Sequence, residues 1–160
     1  MFSKRLLASY FPYALASAIL FAIPALFFVK NSTYAQSWLL YLGNMLFMLP
    51  MIVFMLAFNK KRKDLGVMTS LMEAGHIATV LGVILSCLLS LLLLFIYAGG
   101  IFQANGGTDA ELDNAPAQAT TGAVSGTTLF LFMDAVIGNF TAGSFITIIL
   151  AYYHRSNKRG

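Results

Sequence analysis

Charge is scarce in this chain. Of its 160 residues, 10% are Asp, Glu, Lys or Arg, against about a quarter in an ordinary soluble domain. So few charges cannot cover a surface that faces water on all sides, which argues against a soluble globular enzyme. Cysteine is scarcer still. Cys87 stands alone, so no internal disulfide can form, and there is no Cys/His spacing of the zinc type. Hydrophobic residues, by contrast, make up 59% of the chain. Disorder needs low hydrophobicity and high charge, and is excluded by the same composition. The formal charge of +4 does not point to nucleic acid, because the basic residues sit in short clusters beside apolar runs. That placement belongs to membrane orientation. An integral membrane protein is what remains.

A helix crossing a hydrocarbon core of about 30 Å needs about 20 mostly apolar residues. Four runs qualify, over residues 6–29, 37–58, 74–102 and 129–153. None alternates as a barrel strand does, so helices must satisfy the backbone internally. The expected fold is a single all-α domain, a polytopic bundle of four transmembrane helices. The first run resembles a signal peptide, but a signal's apolar region is about 7–15 residues and this run is longer. It is therefore read as a retained span. Residues 65–102 would reach about 57 Å as one helix, too long for an upright crossing. Residues 65–75 are expected along the membrane interface, or as a bent extension of the third span, with Gly66 and Gly75 as natural breaks. Residues 103–128 carry Asp109, Glu111 and Asp113 with no Lys or Arg, and read as a flexible outer loop. Pro12, Pro24 and Pro50 read as kinks that membrane helices tolerate. Asn31-Ser32-Thr33 matches a glycosylation sequon and reads as a chance triplet at the membrane edge.

The positive-inside rule places both termini in the cytoplasm. Lys4, Arg5, Lys60, Lys61, Arg62, Lys63, Arg155, Lys158 and Arg159 then lie inside, and Lys30 alone lies outside.

Helices in lipid associate through close approach of small residues and a few polar contacts. In span 3, Gly75, Thr79, Gly82, Ser86 and Ser90 form one small-residue stripe. In span 4, Ala135, Asn139, Gly143, Thr147 and Ala151 recur every four residues, widened by Gly138 and Ala142. These two spans are expected to pack on each other, or on a partner, along the stripes.

Asp134 is the most informative single position, because a carboxylate inside a span is costly and by default suggests function. With Asn139 it forms a possible ion or proton site. Its other expected partners are Lys30 or an outer tyrosine. Glu73 and His76 form a Glu-x-x-His pair, but di-metal carboxylate bundles need that motif twice plus two more glutamates. The pair reads as an interfacial polar pair, and no metal site is expected. Met45, Met48, Met51 and Met55 crowd span 2, where Asn44 shares the face of Met48, Met51 and Met55. Thioethers can ligate Cu(I), but methionine beside a proline more often fills irregular space. No cofactor is expected. Lys60, Lys61, Arg62 and Lys63 set topology and attract anionic lipid headgroups, or dock a cytoplasmic partner. There is no nucleophile motif and no phosphate-cradling glycine loop.

Three features carry a family resemblance. Span 2 runs into the basic turn Phe58-Asn59-Lys60-Lys61-Arg62-Lys63-Asp64-Leu65-Gly66. An amphipathic lead, Leu71-Met72-Glu73-Ala74-Gly75-His76, precedes span 3. The last span contains glycine and ends in a basic tail. In this layout the chain resembles a family of small four-span bacterial inner-membrane proteins, common in Bacteroidota and classed as a domain of unknown function. The Ala/Thr/Gly-rich outer loop departs from that family. The resemblance implies fold and location in the bacterial cytoplasmic (inner) membrane. It also implies proximity to polyprenyl-phosphate glycosyltransferases, and so an accessory role beside a lipid-linked sugar enzyme.

The sequence thus reads first as a non-catalytic accessory or structural subunit of a membrane complex. Its expected partners are membrane lipids and a membrane protein or a second copy of the chain, with no nucleic acid. The alternative is a small oligomeric transporter or channel using Asp134, Asn139, Thr141 and Thr147. A third reading, an enzyme on lipid-linked substrates, would use Glu73, His76 and the basic turn.

Overall fold

A computed structural model describes residues 4–31, 34–61, 68–97 and 126–156. All of these are helical apart from Ser37, a turn. Helix α1 is Lys4–Asn31 and α2 is Trp38–Lys61, with a short 3-10 turn at Tyr34–Gln36 before α2. Helix α3 is Met68–Tyr97. The last run begins as α4, Gly126–Met133, widens into a π-helical turn at Asp134–Gly138, and continues as α5, Asn139–Ser156. Four segments are long and apolar enough to cross a membrane: Ser9–Asn31, Trp38–Asn59, Met68–Tyr97 and Thr128–His154. The chain is a four-helix membrane bundle.

Two boundaries differ from the sequence reading. Helix α3 runs unbroken through Gly75 from Met68, so residues 68–75 extend the third span and Gly75 is not a break. Its physical role is close approach, described below. Residues 65–67, including Gly66, lie outside the described residues. So do residues 98–102 of the expected third span and residues 103–125 of the expected outer loop, whereas 126–128 already belong to α4. The helices are continuous through Pro12, Pro24 and Pro50.

The bundle is a square. Helix α1 packs along α2 and α3, and α5 packs along the same two from the far side. Helices α2 and α3 also touch across one diagonal. The side chains are arranged as lipid solvent demands. Phe11, Ile19, Ile23 and Phe27 of α1 point outward, as do Val80, Ile84, Leu88 and Leu92 of α3. Inside, the same helices present Ala14, Ser17, Ala18 and Ala25, and Ala74, Ala78, Thr79, Ser86 and Ser90. Lipid tails are as apolar as leucine, so large side chains gain nothing by leaving them, and small interior residues let the backbones approach.

Glycines mark the closest approaches. A methyl on Gly75 would lie 2.6 Å from Thr147 Oγ1 and 2.9 Å from Met55 Sδ. A methyl on Gly143 would lie 2.6 Å from Thr79 Oγ1. Gly75 thus receives Thr147 of α5, and Gly143 receives Thr79 of α3, in a reciprocal lock that sets an antiparallel register. Gly82 faces α2 instead, where Phe47 and Met51 fill the space above it. At the basic-turn end, Tyr10 and Phe54 meet edge-on with ring centroids 5.4 Å apart, and Tyr13 and Phe58 join the cluster. At the other end, Lys30 Nζ lies 6.0 Å from the ring centroid of Tyr97.

Candidate functional site

The π-turn at Asp134–Gly138 follows from the residue spacing around it. Leu131, Ala135, Asn139, Gly143, Thr147 and Ala151 are all buried, at strict steps of four. In a straight α-helix, each step of four overshoots a full turn by about 40°, so five steps drift by about 200°. One extra residue in a wide turn takes back about 100° of that drift and holds both halves of the span against the core. The backbone records the widening. The amide of Asn139 donates to the carbonyl of Asp134, five residues earlier. Such single π-turns occur frequently at functional sites.

The turn presents Asp134 to α2. Asn44 Nδ2 donates to Asp134 Oδ1 at 2.9 Å. Asn44 and Asp134 each sit six residues inside their spans from the Lys30 end, about 9 Å deep. Gly138 makes room for the pair. A methyl there would lie 2.5 Å from Asn44 Nδ2 and 2.8 Å from Asp134 Oδ1. Asn139 is 0% exposed, and its Nδ2 donates to the carbonyl of Ala135 at 3.2 Å.

Three buried oxygens at this turn have no hydrogen-bond partner: Asp134 Oδ2, Asn44 Oδ1 and Asn139 Oδ1. Helix α3 also packs on the π-turn. By the register of the glycine lock, Ser86 and Ser90 of α3 fall at the level of the turn, and their hydroxyls are likewise buried without a partner. Burying an unpaired polar group costs roughly 1–3 kcal/mol by mutational measures. So many at one level make this the least satisfied part of the interior. The level is oxygen-rich with one carboxyl group, and such a set of acceptors favours a positive charge or a proton donor as its partner.

The other candidates fall elsewhere. Asp134 bonds to Asn44 and not to Lys30, which engages Tyr97. Glu73 is exposed, while His76 Nδ1 donates to the Met72 carbonyl at 2.8 Å, so the two do not form a joint site. Among the described residues, no group of three or more His, Cys, Asp or Glu is gathered as metal ligands. Met51 and Met55 fill the space beside Gly82 and Gly75, and Met45 faces outward. Thr79 Oγ1 donates to the Gly75 carbonyl at 2.9 Å, and Ala142 is buried. Thr141 is exposed and does not share the face of Asn139 and Thr147; the π-turn and the step of four put it on the lipid side. Lys60 and Lys61 end α2, whereas Arg62 and Lys63 lie outside the described residues.

Sequence reasoning did not join Asn44 to Asp134. The available signal was a carboxamide at the same depth in a neighbouring span, since polar groups in lipid seek each other. The π-turn was legible too, in a buried stripe at steps of four where 3.6 residues make a turn. No protein-family model, no curated protein and no solved structure matches this chain.

Proposed function

We propose that this protein is a non-enzymatic bacterial inner-membrane protein that works through the Asp134 site, as the subunit of a small transporter or channel for a proton or cation. One observation carries the reading. Asp134 is bonded to Asn44 within the bundle, Asn139 is buried at the end of the same wide turn, and each of the three keeps a buried oxygen unpartnered; an intramembrane carboxylate marks an ion or proton pathway more often than a structural need.

The accessory-subunit reading draws on the absence of a catalytic motif and on two small-residue stripes available to a partner. Gly75 and Gly143 are occupied by Thr147 and Thr79 of the same chain, and Gly82 by Phe47 and Met51. Those surfaces are spent on the bundle's own packing, which moves the weight to the polar site. Nine basic residues against Lys30 alone in the sequence support a reading with both termini in the cytoplasm.

The test is reconstitution into liposomes carrying a pH-sensitive or cation-sensitive dye. Wild-type protein should dissipate an imposed ion gradient, and Asp134→Asn should abolish that flux. If the wild type gives no flux while a defined membrane partner copurifies, the accessory role takes its place. A polyprenyl-phosphate glycosyltransferase is the partner that the family resemblance suggests.

A further inference from the structure

We propose that the guest of the Asp134 site is a small monovalent cation of the sodium class, held by Asp134 Oδ2, Asn44 Oδ1 and Asn139 Oδ1. This deepens the reading of Asp134 as a working site and rests on it.

The first argument is charge. Spans α1, α2 and α3 bring no basic side chain to the depth of Asp134. Between Arg5 and Lys30, between Trp38 and Asn59, and between Met68 and Tyr97 there is no Lys or Arg. Lys30 is at a helix end, over Tyr97. Among the described residues, the carboxylate therefore has no Lys or Arg as a counter-ion. One positive charge neutralises it, whereas a divalent ion would leave a net charge inside the membrane, which is expensive.

The second argument is the count of oxygens. A proton on Asp134 Oδ2 creates one donor, which serves at most one of the two unpartnered carboxamide oxygens. A cation engages all three at once. Carboxylate and carbonyl oxygens are hard donors and suit alkali and alkaline-earth ions. Asn139 is fully buried and Asn44 is 9% exposed, and both aim an unpartnered oxygen into the interior. Ser86 and Ser90 lie at the same level on α3 with hydroxyls of the same kind.

The third argument is proximity. Gly138 lets Asn44 and Asp134 close on each other, since a methyl there would crowd both, and close-set ligand side chains suit the smaller of the common alkali ions. Widened or interrupted membrane helices serve coupling ions in the same way in secondary transporters, where released backbone carbonyls join the side-chain ligands.

Purified protein in nanodiscs is titrated with radioactive sodium, with choline chloride holding the ionic strength constant. Saturable retention of one sodium per chain is expected, displaced at least tenfold more effectively by unlabelled sodium than by potassium. Asp134→Asn should abolish retention, and Asn139→Ala or Asn44→Ala should weaken it at least tenfold. Thr141→Val, on the lipid side, should leave it unchanged. Circular dichroism and gel filtration establish that each variant is folded; the two asparagine variants carry the test if Asp134→Asn is not. Absence of saturable retention by folded wild type would overturn the proposal. So would retention unaffected by both asparagine substitutions, or ordered water at the three oxygens in saturating sodium. Sodium binding without liposome flux leaves the site standing and removes the transport reading. Proton flux indifferent to sodium, without binding, does the opposite.

Discussion

At Gly138 one hydrogen atom decides whether the polar pair exists. An alanine methyl would sit 2.5 Å from Asn44 Nδ2 and 2.8 Å from Asp134 Oδ1, closer than van der Waals contact allows. The sign of the effect is diagnostic. Glycine to alanine inside a helix normally stabilises it, by up to about 1 kcal/mol. Here the substitution forces Asn44 and Asp134 apart and leaves a buried donor and acceptor unpaired, at about 1–3 kcal/mol. Gly138→Ala is therefore expected to lower the unfolding midpoint in mild detergent, where a neutral or stabilising result would contradict the observed geometry. Asp134 itself was legible from sequence, because a charge within an apolar run needs no neighbour to be noticed. Its partner was not, because the depth at which α2 meets the π-turn is set by packing across the bundle and not by local residues. Gly138 was legible only as a small residue. Which side chains it admits depends on that same register.

Among the elements, the π-turn has the clearest consequence. It turns the first half of the last span so that Leu131 and Ala135 face the core along with Thr147 and Ala151. Val136 and Ile137 face lipid, so one of them can be removed without emptying the interior directly. Deleting Ile137 removes the extra residue and returns the turn to ordinary α-helix. The shortened helix rotates by as much as the wide turn did, so residues 126–133 keep their facing against α5 and Leu131 stays in the core. Deleting lipid-facing Phe145, within regular helix, has no wide turn to absorb it and rotates the part of the span before it by about 100° against the part after it. A loss of about 2–5 kcal/mol is expected there, the range for emptying a buried leucine site, while the Ile137 deletion should lose much less in the same detergent melt. An Ile137 deletion as costly as that of Phe145 would mean that the wide turn does not carry one extra residue between two aligned halves. The four spans were readable from length and apolarity alone, but their ends were not. Of the two expectations for the segment before span 3, an interfacial stretch or an extension of that span, residues 68–75 take the second, as continuous helix from Met68. Glu73 faces outward there and His76 is satisfied by the Met72 carbonyl, so its polar residues do not pull it out of the bundle. Gly75, which reads locally as a breaker, is held by Thr147 from another helix.

For the whole molecule, the open variable is which end of the bundle faces the cytoplasm, and the charge distribution argues for one answer. Helix α1 begins at Lys4, α2 ends at Lys61 and α5 ends at Ser156, with Lys158 and Arg159 following in the sequence. These three ends lie together, because Tyr10 of α1 meets Phe54 and Phe58 of α2 and Gly75 of α3 meets Thr147 of α5. Among the described residues, Lys30 is the one Lys or Arg at the opposite end. Nine basic residues crossing to the outside is the costlier alternative for insertion. In a Cys87→Ala background, Ala35→Cys should react with a membrane-impermeant maleimide on intact cells. Ser156→Cys should react only after permeabilisation. The reverse pattern would invert the protein, and with it the side from which the Asp134 site is loaded. Asn44 and Asp134 lie about 9 Å from the Lys30 end, so in the expected orientation the outer surface is the nearer one, and the Gly75–Thr147 and Gly143–Thr79 lock between α3 and α5 lies on the cytoplasmic side of them. A transporter built this way must open that lock to release its ion inward, whereas a protein that only binds sodium leaves it shut.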